Sequence, residues 1–369
     1  ASFAPPELLP EDVAILQYTG GTTGDPRGAM LTHRNVVANI LQVEDIANPV
    51  LRDVMPNPLT MLTALPLYHV FAMTVCALYA LHAGMRVVLV INPRDLPALI
   101  DLWKKESPHV FPAVNTLFAA LVRQSAFRQV DFSRLRIALG GGMAVHPTVA
   151  QKWQELTGKT IVEGYGMSET SPVICANPTD CTVFSATVGL PLPQTTVLIV
   201  DEAQQPVPDG EVGEIAVKGP QVMPGYWRAP AATAAAMTPD GFLLTGDLGL
   251  RDAQGFIKLV DRKKDMIVVS GFNVYPAEID QVFAAHPSVL DCAAVGVDDD
   301  VTGHAIRLFA VVDQTVGDGL TEQALKVWGR EQLTGYKRPK TVVFVDSLPK
   351  NTVGKTLRRL LIEPTKSGV

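Results

Sequence analysis

The stretch RVVLVINPRDLPALIDLWKKESPHVFPAVNTLFAALVRQS (86–125) decides the fold. A short apolar run, RVVLVI (86–91), is followed by the helical pattern DLPALIDLWKKE (95–106). A second run, HVFPAV (109–114), leads into a second helical pattern, NTLFAALVRQS (115–125). The same alternation extends outward. VAILQYT (13–19) and LTALPL (62–67) read as strands before it. LRIALGG (135–141), the helical HPTVAQKWQEL (146–156) closed by Gly158, and TIVEGYG (160–166) follow it. Short apolar strands alternating with helices of this length predict an α/β fold with a parallel sheet covered on both faces. In such folds ligands gather at loops beyond the carboxyl ends of the strands.

The texture changes after about residue 185, where TTVLIV, GEIAV and GFIKLV are punctuated by Gly, Pro and Asp, predicting an antiparallel or barrel-like part. Beyond DRKKD (261–265), the helical patterns PAEIDQVFAAH (276–286) and EQALKVWGREQL (322–333) join the strand-like VLDCAAVGV, IRLFAVV and TVVFV in a compact α+β pattern. The polar DRKKD is the boundary: residues 1–261 form a large domain, 262–265 a joint and 266–369 a small C-terminal domain.

Composition narrows the function. Of 369 residues, 47% are apolar and 18% charged, with mean hydropathy +0.19, enough for a sizeable core and too apolar for disorder. A net charge of −6 argues against a general nucleic-acid binder. Four cysteines without a CxxC spacing fit reduced thiols in a cytosolic protein, not a disulfide framework or a zinc site. No basic-then-apolar leader opens the chain, which begins with Ala1. Asp, Glu, Lys and Arg are absent between Asp53 and Arg86, but prolines, His69, His82 and Gly84 divide this stretch. It reads as a buried strand, TMLTALPL (60–67), and a core helix, FAMTVCALYALHAG (71–84), closed by Gly84.

Five motifs could carry chemistry. YTGGTTGDPRGAM (18–30) follows the first strand. Its backbone N–H groups and three threonine hydroxyls can surround phosphate oxygens. A surface turn would explain its glycines but not three clustered threonines, and no Walker A pattern fits. GGGMAV (140–145) permits close backbone approach to a flat ligand, without the GxGxxG fingerprint. EGYGMSET (163–170) offers an aromatic face in Tyr165, a hydroxyl in Ser168 and, in Glu169, a hard oxygen ligand suited to Mg²⁺ near phosphates. Thr170 at the fifth position spoils the nucleophile-elbow alternative. In TGDLG (245–249), Asp247 is either a turn residue or an acceptor for ribose hydroxyls. LPKNTVGKTLRR (348–359) presents Lys355, with Arg358 and Arg359 behind it. From Tyr336 to Val369 eight Lys or Arg face two Asp or Glu, a local reversal suited to a polyanion such as ATP or coenzyme A, or else a solvated basic tail.

In this order the motifs resemble the adenylate-forming superfamily of acyl-CoA synthetases, acyl- and aryl-activating enzymes and luciferases. Within it, TALPLYHVFAMT (63–74), INPRDLPALI (91–100), EGYGMSET, VDRKKDMIVVSGFNVYPAEI (260–279) and QLTGYKRPK (332–340) are most similar to bacterial long-chain fatty acid–CoA ligases. The resemblance implies ATP, Mg²⁺ and coenzyme A as cofactors and a fatty acid as substrate. A ligase for a medium-chain or aryl acid, and a nucleotide-binding fragment without turnover, are the alternatives. It implies that Thr19, Gly20, Gly21, Thr22, Thr23, Gly24 and Arg27 hold the β- and γ-phosphates. Tyr165, flanked by Gly164 and Gly166, would stack on adenine; Ser168 would touch phosphate and Glu169 hold Mg²⁺. Asp247 and Arg262 would bind the ribose, and Gly140, Gly141 and Gly142 would line the adenine and acyl pocket. His69 and Phe71 would border the acyl site or serve the core. Lys264 would be the hinge, Gly271 the passage of pantetheine, and Lys355 the adenylation lysine. Catalysis is thereby assigned to Lys355, Glu169, Thr23 and His69.

Two departures stand out. Arg27 occupies a position where the family often has a lysine, exchanging an ammonium for a planar fork. FLLTGD (242–247) lacks the Trp and His frequent before this TGD in fatty-acyl enzymes. The phosphate loop begins only 18 residues in, so the resemblance implies that about a third of the enzyme lies before Ala1. It further implies a cytoplasmic protein, with peripheral contact at the inner face of the membrane and a homodimer compatible with it.

Overall fold

The computed structural model describes residues 6–19, 26–52, 58–313, 319–351 and 354–362. The chain divides into two compact units. The first comprises residues 1–211, 215–245 and 251–258; the second comprises 212–214, 246–250 and 259–369.

In the first unit, β1 (Val13–Thr19) and β2 (Arg27–Thr32) pair antiparallel as a separate two-stranded sheet. This corrects the expectation that VAILQYT joins the parallel sheet. The connection between the two strands is too short for the crossover that parallel neighbours require. Thr32 caps α1 (His33–Leu51), its hydroxyl accepting from the Asn35 N–H, while the Asn35 side chain accepts in return from the Thr32 N–H at 3.0 Å.

The main sheet contains β3 (Thr60–Thr63), β4 (Arg86–Leu89), β5 (Val110–Ala113), β6 (Ile137–Gly140), β7 (Ile161–Gly166), β8 (Val173–Ala176) and β9 (Leu190–Pro191), in the order β4-β3-β5-β6-β7-β8-β9. The first five are parallel, as the alternation predicts, and β8 and β9 add antiparallel. The strand expected over 62–67 ends at Thr63, because a turn closed by His69 N–H on the Pro66 carbonyl (3.0 Å) carries the chain off the sheet. The charge-free run after it is not an ordinary helix. It is a π-helix over Ala72–Tyr79 running into α2 (Ala80–His82), and the wider turn places five of its eight residues inside, in keeping with a segment apolar all round. Gly84 (φ +65°) closes it as expected. Among the described residues, no helix is long and apolar enough to cross a membrane.

The helices α3 (Leu96–Glu106), α4 (Asn115–Val122) and α5 (Pro147–Thr157) stand where the spacing predicts, with Gly158 (φ +68°) ending α5. Between them and the sheet lies an aromatic core. Trp103 meets Phe111 edge-on at 4.6 Å between centroids, and Phe118 meets Trp153 at 4.8 Å. A four-stranded sheet follows, in the order β10 (Thr196–Val200), β11 (Gly213–Lys218), β12 (Leu243–Arg251), β13 (Ile257–Arg262), with α6 (Pro230–Ala236) in the sequence between β11 and β12.

In the second unit, the hairpin β14 (Ile267–Val269) and β15 (Phe272–Val274) precedes α7 (Pro276–Ala284). β16 (Val289–Asp299) and β17 (Gly303–Val312) are antiparallel, and β18 (Thr341–Phe344) lies parallel to β17. α8 (Glu322–Gln332) and α9 (Arg359–Ile362) complete it. Its core joins Ile279, Phe283, Ile306, Leu308 and Leu325. Gly329 inside α8 has a packing reason: a Cβ there would stand 2.6 Å from the Phe283 ring. The four cysteines are unpaired, three of them buried.

Candidate active site

In the first unit the motif residues follow the carboxyl ends of three parallel strands. His69 and Phe71 lie beyond β3, Gly141 and Gly142 beyond β6, and Ser168 and Glu169 beyond β7. That is the edge where open α/β sheets gather ligands. The loops touch one another there. A Cβ on Gly141 would stand 2.9 Å from the Phe71 ring, so the backbone lies flat against that ring; Gly142 takes a left-handed turn (φ +78°). Gly140 faces the other way, toward Val145 and Ile161. His69 is half-buried, its Nδ1 accepts the Phe71 N–H at 3.3 Å, and burial lowers its pKa. It is thereby disposed to stay neutral.

Tyr165 is buried on β7 between Gly164 and Gly166. Gly166 is obligatory, since a Cβ would come within 2.0 Å of the Pro172 carbonyl oxygen. The chain turns tightly there, with Met167 N–H donating to that same carbonyl at 3.1 Å and the Thr170 hydroxyl also bonded to it. The turn over Ser168–Thr170 leaves Glu169 6% exposed. Tyr226 donates its hydroxyl to Glu169 Oε1 at 2.8 Å, and burial together with the Glu169 charge raises the phenol pKa well above its ordinary value.

Tyr226 also ties this carboxylate to the phosphate-loop strands. Trp227 N–H donates to the Gly28 carbonyl (2.8 Å), Met30 N–H to the Gly225 carbonyl (3.0 Å), and the Arg27 guanidinium lies 5.7 Å from the Tyr226 ring centre. Thr19 faces Arg27 across the pair, its hydroxyl on the Arg27 carbonyl at 3.4 Å. Gly20, Gly21, Thr22, Thr23 and Gly24 lie outside the described residues.

The second unit brings together a different set. Asp247, 5% exposed, pairs with Arg262 Nε at 2.6 Å. The neighbouring Gly246 N–H donates to Glu214 Oε1 at 3.0 Å, and Lys263 Nζ to Glu214 Oε2 at 2.9 Å. Lys264 and Lys355 stand in the same field. Burial lowers both ammonium groups. For Lys355, Arg262 adds to the lowering, Asp247 and Asp265 oppose it, and the pKa falls to about 8. Gly271 sits in the tight β14–β15 turn at φ +83° with open space around it.

One reading needs correction. Arg358 does not face a polyanion: its guanidinium donates to Asp280 Oδ2 at 2.6 Å and to the Ala294 carbonyl at 2.9 Å, inside the unit. Sequence reasoning also missed Tyr226, Glu163 and Asn39. Glu163 Oε1 accepts the Val145 N–H at 2.8 Å and so fixes the end of the glycine loop; burial raises its pKa to about 7. Asn39 holds the backbone N–H and carbonyl of Val173 at 3.0 and 2.9 Å. The only available signal was Asn35, Asn39 and Gln42, polar residues recurring on one face of α1, all of them buried.

An α/β layer with glycine-rich loops at its strand ends, followed by a small α+β unit that carries a half-buried lysine, has the architecture of adenylate-forming enzymes. A family model described as AMP-binding enzyme matches residues 2–227, and one described as AMP-binding enzyme C-terminal domain matches residues 278–355. The chain belongs to the AMP-binding enzyme family. It is 48% identical over 367 residues to a long-chain-fatty-acid–CoA ligase of Escherichia coli O6:H1, a match covering 100% of this chain and 64% of that protein. The chain therefore spans less than two thirds of that relative's length. Among solved structures, ATP-bound MatB from Rhodopseudomonas palustris superposes with a TM-score of 0.88 at 32% identity, covering 98% of this chain and 69% of the other. The o-succinylbenzoate CoA synthetase of Bacillus subtilis, in complex with its acyl-adenylate intermediate, gives 0.85 at 28% identity, covering 98% and 71%.

Proposed function

We propose that this chain carries the adenylate-handling part of an AMP-forming long-chain fatty acid–CoA ligase. The observation that carries the reading is the 48% identity to such a ligase over 367 residues, a match that covers 100% of this chain. A carboxylate cannot expel oxide, so activation attaches AMP to its oxygen, which can then leave as part of AMP. The fatty-acid carboxylate oxygen attacks the α-phosphorus of ATP, the bond to the bridging oxygen of the β-phosphate breaks, and pyrophosphate leaves. The sulfur of coenzyme A then attacks the acyl carbon. The bond to AMP breaks, the thiol proton passes to solvent, and acyl-CoA and AMP are released.

The chain's own residues fit these demands. Thr19, Arg27 and the loop between them would hold the β- and γ-phosphates. Tyr165, with Gly164 and Gly166 on either side, would stack on adenine while Gly141 and Gly142 line its pocket; Gly140, expected there too, packs toward Val145 and Ile161 instead. Ser168 would bond phosphate, and Asp247 with Arg262 would take the ribose hydroxyls. His69 and Phe71 would border the acyl chain. Lys355 would bring the two anions together and stabilise the charge gathering at the α-phosphorus. Glu169 suits Mg²⁺: it is one buried hard carboxylate, and among the described residues no group of three or more His, Cys, Asp or Glu collects around it. That leaves coordination positions for phosphates and water, as Mg²⁺ prefers. Mg²⁺ bound there would neutralise phosphate charge. Lys264 would be the hinge of a small domain over 266–369 whose rotation withdraws Lys355 and admits pantetheine past Gly271. A water-insoluble acyl chain favours a cytoplasmic protein that touches the inner face of the membrane; a homodimer belongs to the same reading and is checked by sedimentation.

A ligase for a medium-chain or aryl acid is the second reading, favoured by FLLTGD, which lacks the Trp and His of many fatty-acyl enzymes. ATP–pyrophosphate exchange separates them. We expect exchange driven by palmitate; exchange with coumarate or acetate alone would overturn the long-chain assignment, and exchange with no acid would leave a nucleotide-binding fragment.

A further inference from the structure

We infer that Arg358 is a positioning residue: its tie to Asp280 and Ala294, together with the Lys350–Asp291 pair, straps the segment bearing Lys355 onto α7 and β16 and so fixes where the ammonium stands. This deepens the proposed function and rests on Lys355 serving adenylation.

The strap has two anchors. Downstream of Lys355, Arg358 donates to Asp280 Oδ2 (2.6 Å) on α7 and to the Ala294 carbonyl (2.9 Å) on β16, while Asp280 Oδ1 accepts the Ala294 N–H (2.6 Å). Asp280 is thus satisfied on both oxygens, and both members of the pair are more than four-fifths buried at the side chain. Upstream, Lys350 pairs with Asp291 on the same strand at 2.5 Å. Between the anchors the described residues bond to one another. Lys350 bridges Thr356, Asn351 N–H donates to the Lys355 carbonyl (2.9 Å), the Asn351 side chain accepts the Lys355 N–H (2.8 Å), and Leu357 N–H donates to the Pro349 carbonyl (2.8 Å). Lys355 is therefore bonded into a segment anchored on β16 and is not part of a basic tail. A charged pair with satisfied partners at low exposure is what gives such a strap its geometric definition. The charges that act on the Lys355 ammonium are those of Arg262, Lys264, Asp247 and Asp265, and their effect on it depends on where the strap holds it.

The test uses Arg358→Gln, Asp280→Asn and the double variant, with Lys350→Met as a milder lesion at the half-exposed anchor should the buried variants fail to fold. The first readout needs no catalysis: amine acetylation at Lys355, followed by mass spectrometry across pH, should show an unusually low half-point in the parent protein and an upward move of about one pH unit or more in each variant. The second readout is palmitate-driven exchange, expected to fall about 10- to 100-fold from displacement of the ammonium. Thiolation of preformed acyl-AMP should be retained, and the double variant should be no worse than the worse single one, since the two residues act as a unit. Arg358→Lys should recover part of the loss. An unchanged acetylation profile in a folded variant overturns the inference. Undiminished exchange in Lys355→Ala, alongside a shifted acetylation profile in the Arg358 and Asp280 variants, would instead overturn the role given to Lys355 and leave the strap standing.

Discussion

Tyr226 shows how one hydroxyl can join two motifs that are far apart in the sequence. It donates to Glu169 and is carried on a segment bonded to β2, so the orientation of the carboxylate is tied to the strand that follows the loop it is proposed to serve. Tyr226→Phe keeps the ring, and with it the Arg27 contact, but leaves a buried carboxylate oxygen without its donor, a loss of about 1–3 kcal/mol. We expect half-saturating Mg²⁺ in the exchange reaction to rise several-fold, with the affinity for fatty acid unchanged. A binding titration with Mg²⁺ and ATP should show the same displacement; equal Mg²⁺ dependence in the two proteins would remove Tyr226 from this role. Nothing in the sequence around GYW (225–227) points to Glu169, because the link is a single tertiary hydrogen bond across 57 positions. The expectation for Glu169 rests on the opposite kind of signal. Its motif is a contiguous string at the end of a strand, and short strings carry their chemistry locally.

At the scale of elements the same division holds. Helices α3, α4, α5, α7 and α8 were legible to within a few residues because their apolar spacing and flanking signals are local. The antiparallel pairing of β1 with β2 was not read, because an apolar run of seven residues looks alike in either kind of sheet. The π-helix was hidden as well, since a segment apolar on every side carries no period from which a wider turn could be told. The third hidden feature is the inward polar face of α1. Asn39 occupies both the N–H and the carbonyl of Val173 at the start of β8, and Gln42 donates to the Pro193 carbonyl at 2.6 Å. These residues tie the helix after the phosphate loop to the strand after Glu169. Asn39→Ala removes both hydrogen bonds to Val173 and a third to Gln42, and should lower stability by about 2–4 kcal/mol. Urea unfolding followed by far-ultraviolet dichroism measures it, and a loss below 1 kcal/mol would mean that β8 is held by its neighbours alone.

The residues that the proposed chemistry uses belong to two units of the chain. The first unit holds Tyr165, Ser168 and Glu169; the second holds Lys355 with Asp247 and Arg262. Adenylation needs an ammonium at the α-phosphate, whereas the thiol needs room at the acyl carbon, and a lysine carried on a small domain meets both demands only if it can leave. Lys355→Ala should therefore abolish palmitate-driven exchange, by about 100-fold or more, and spare the transfer of preformed acyl-AMP to coenzyme A. The sign of the pH dependence follows from the pKa of about 8: the ammonium is present below that value and lost above it, so exchange should decline as pH rises through 8. Transfer in Lys355→Ala should show no inflection from this group. Single-turnover measurements of the two half-reactions across pH 6.5–9.5 decide the matter. If the alanine variant loses both half-reactions while remaining folded, Lys355 serves both steps from one position and rotation about Lys264 has no part in the cycle.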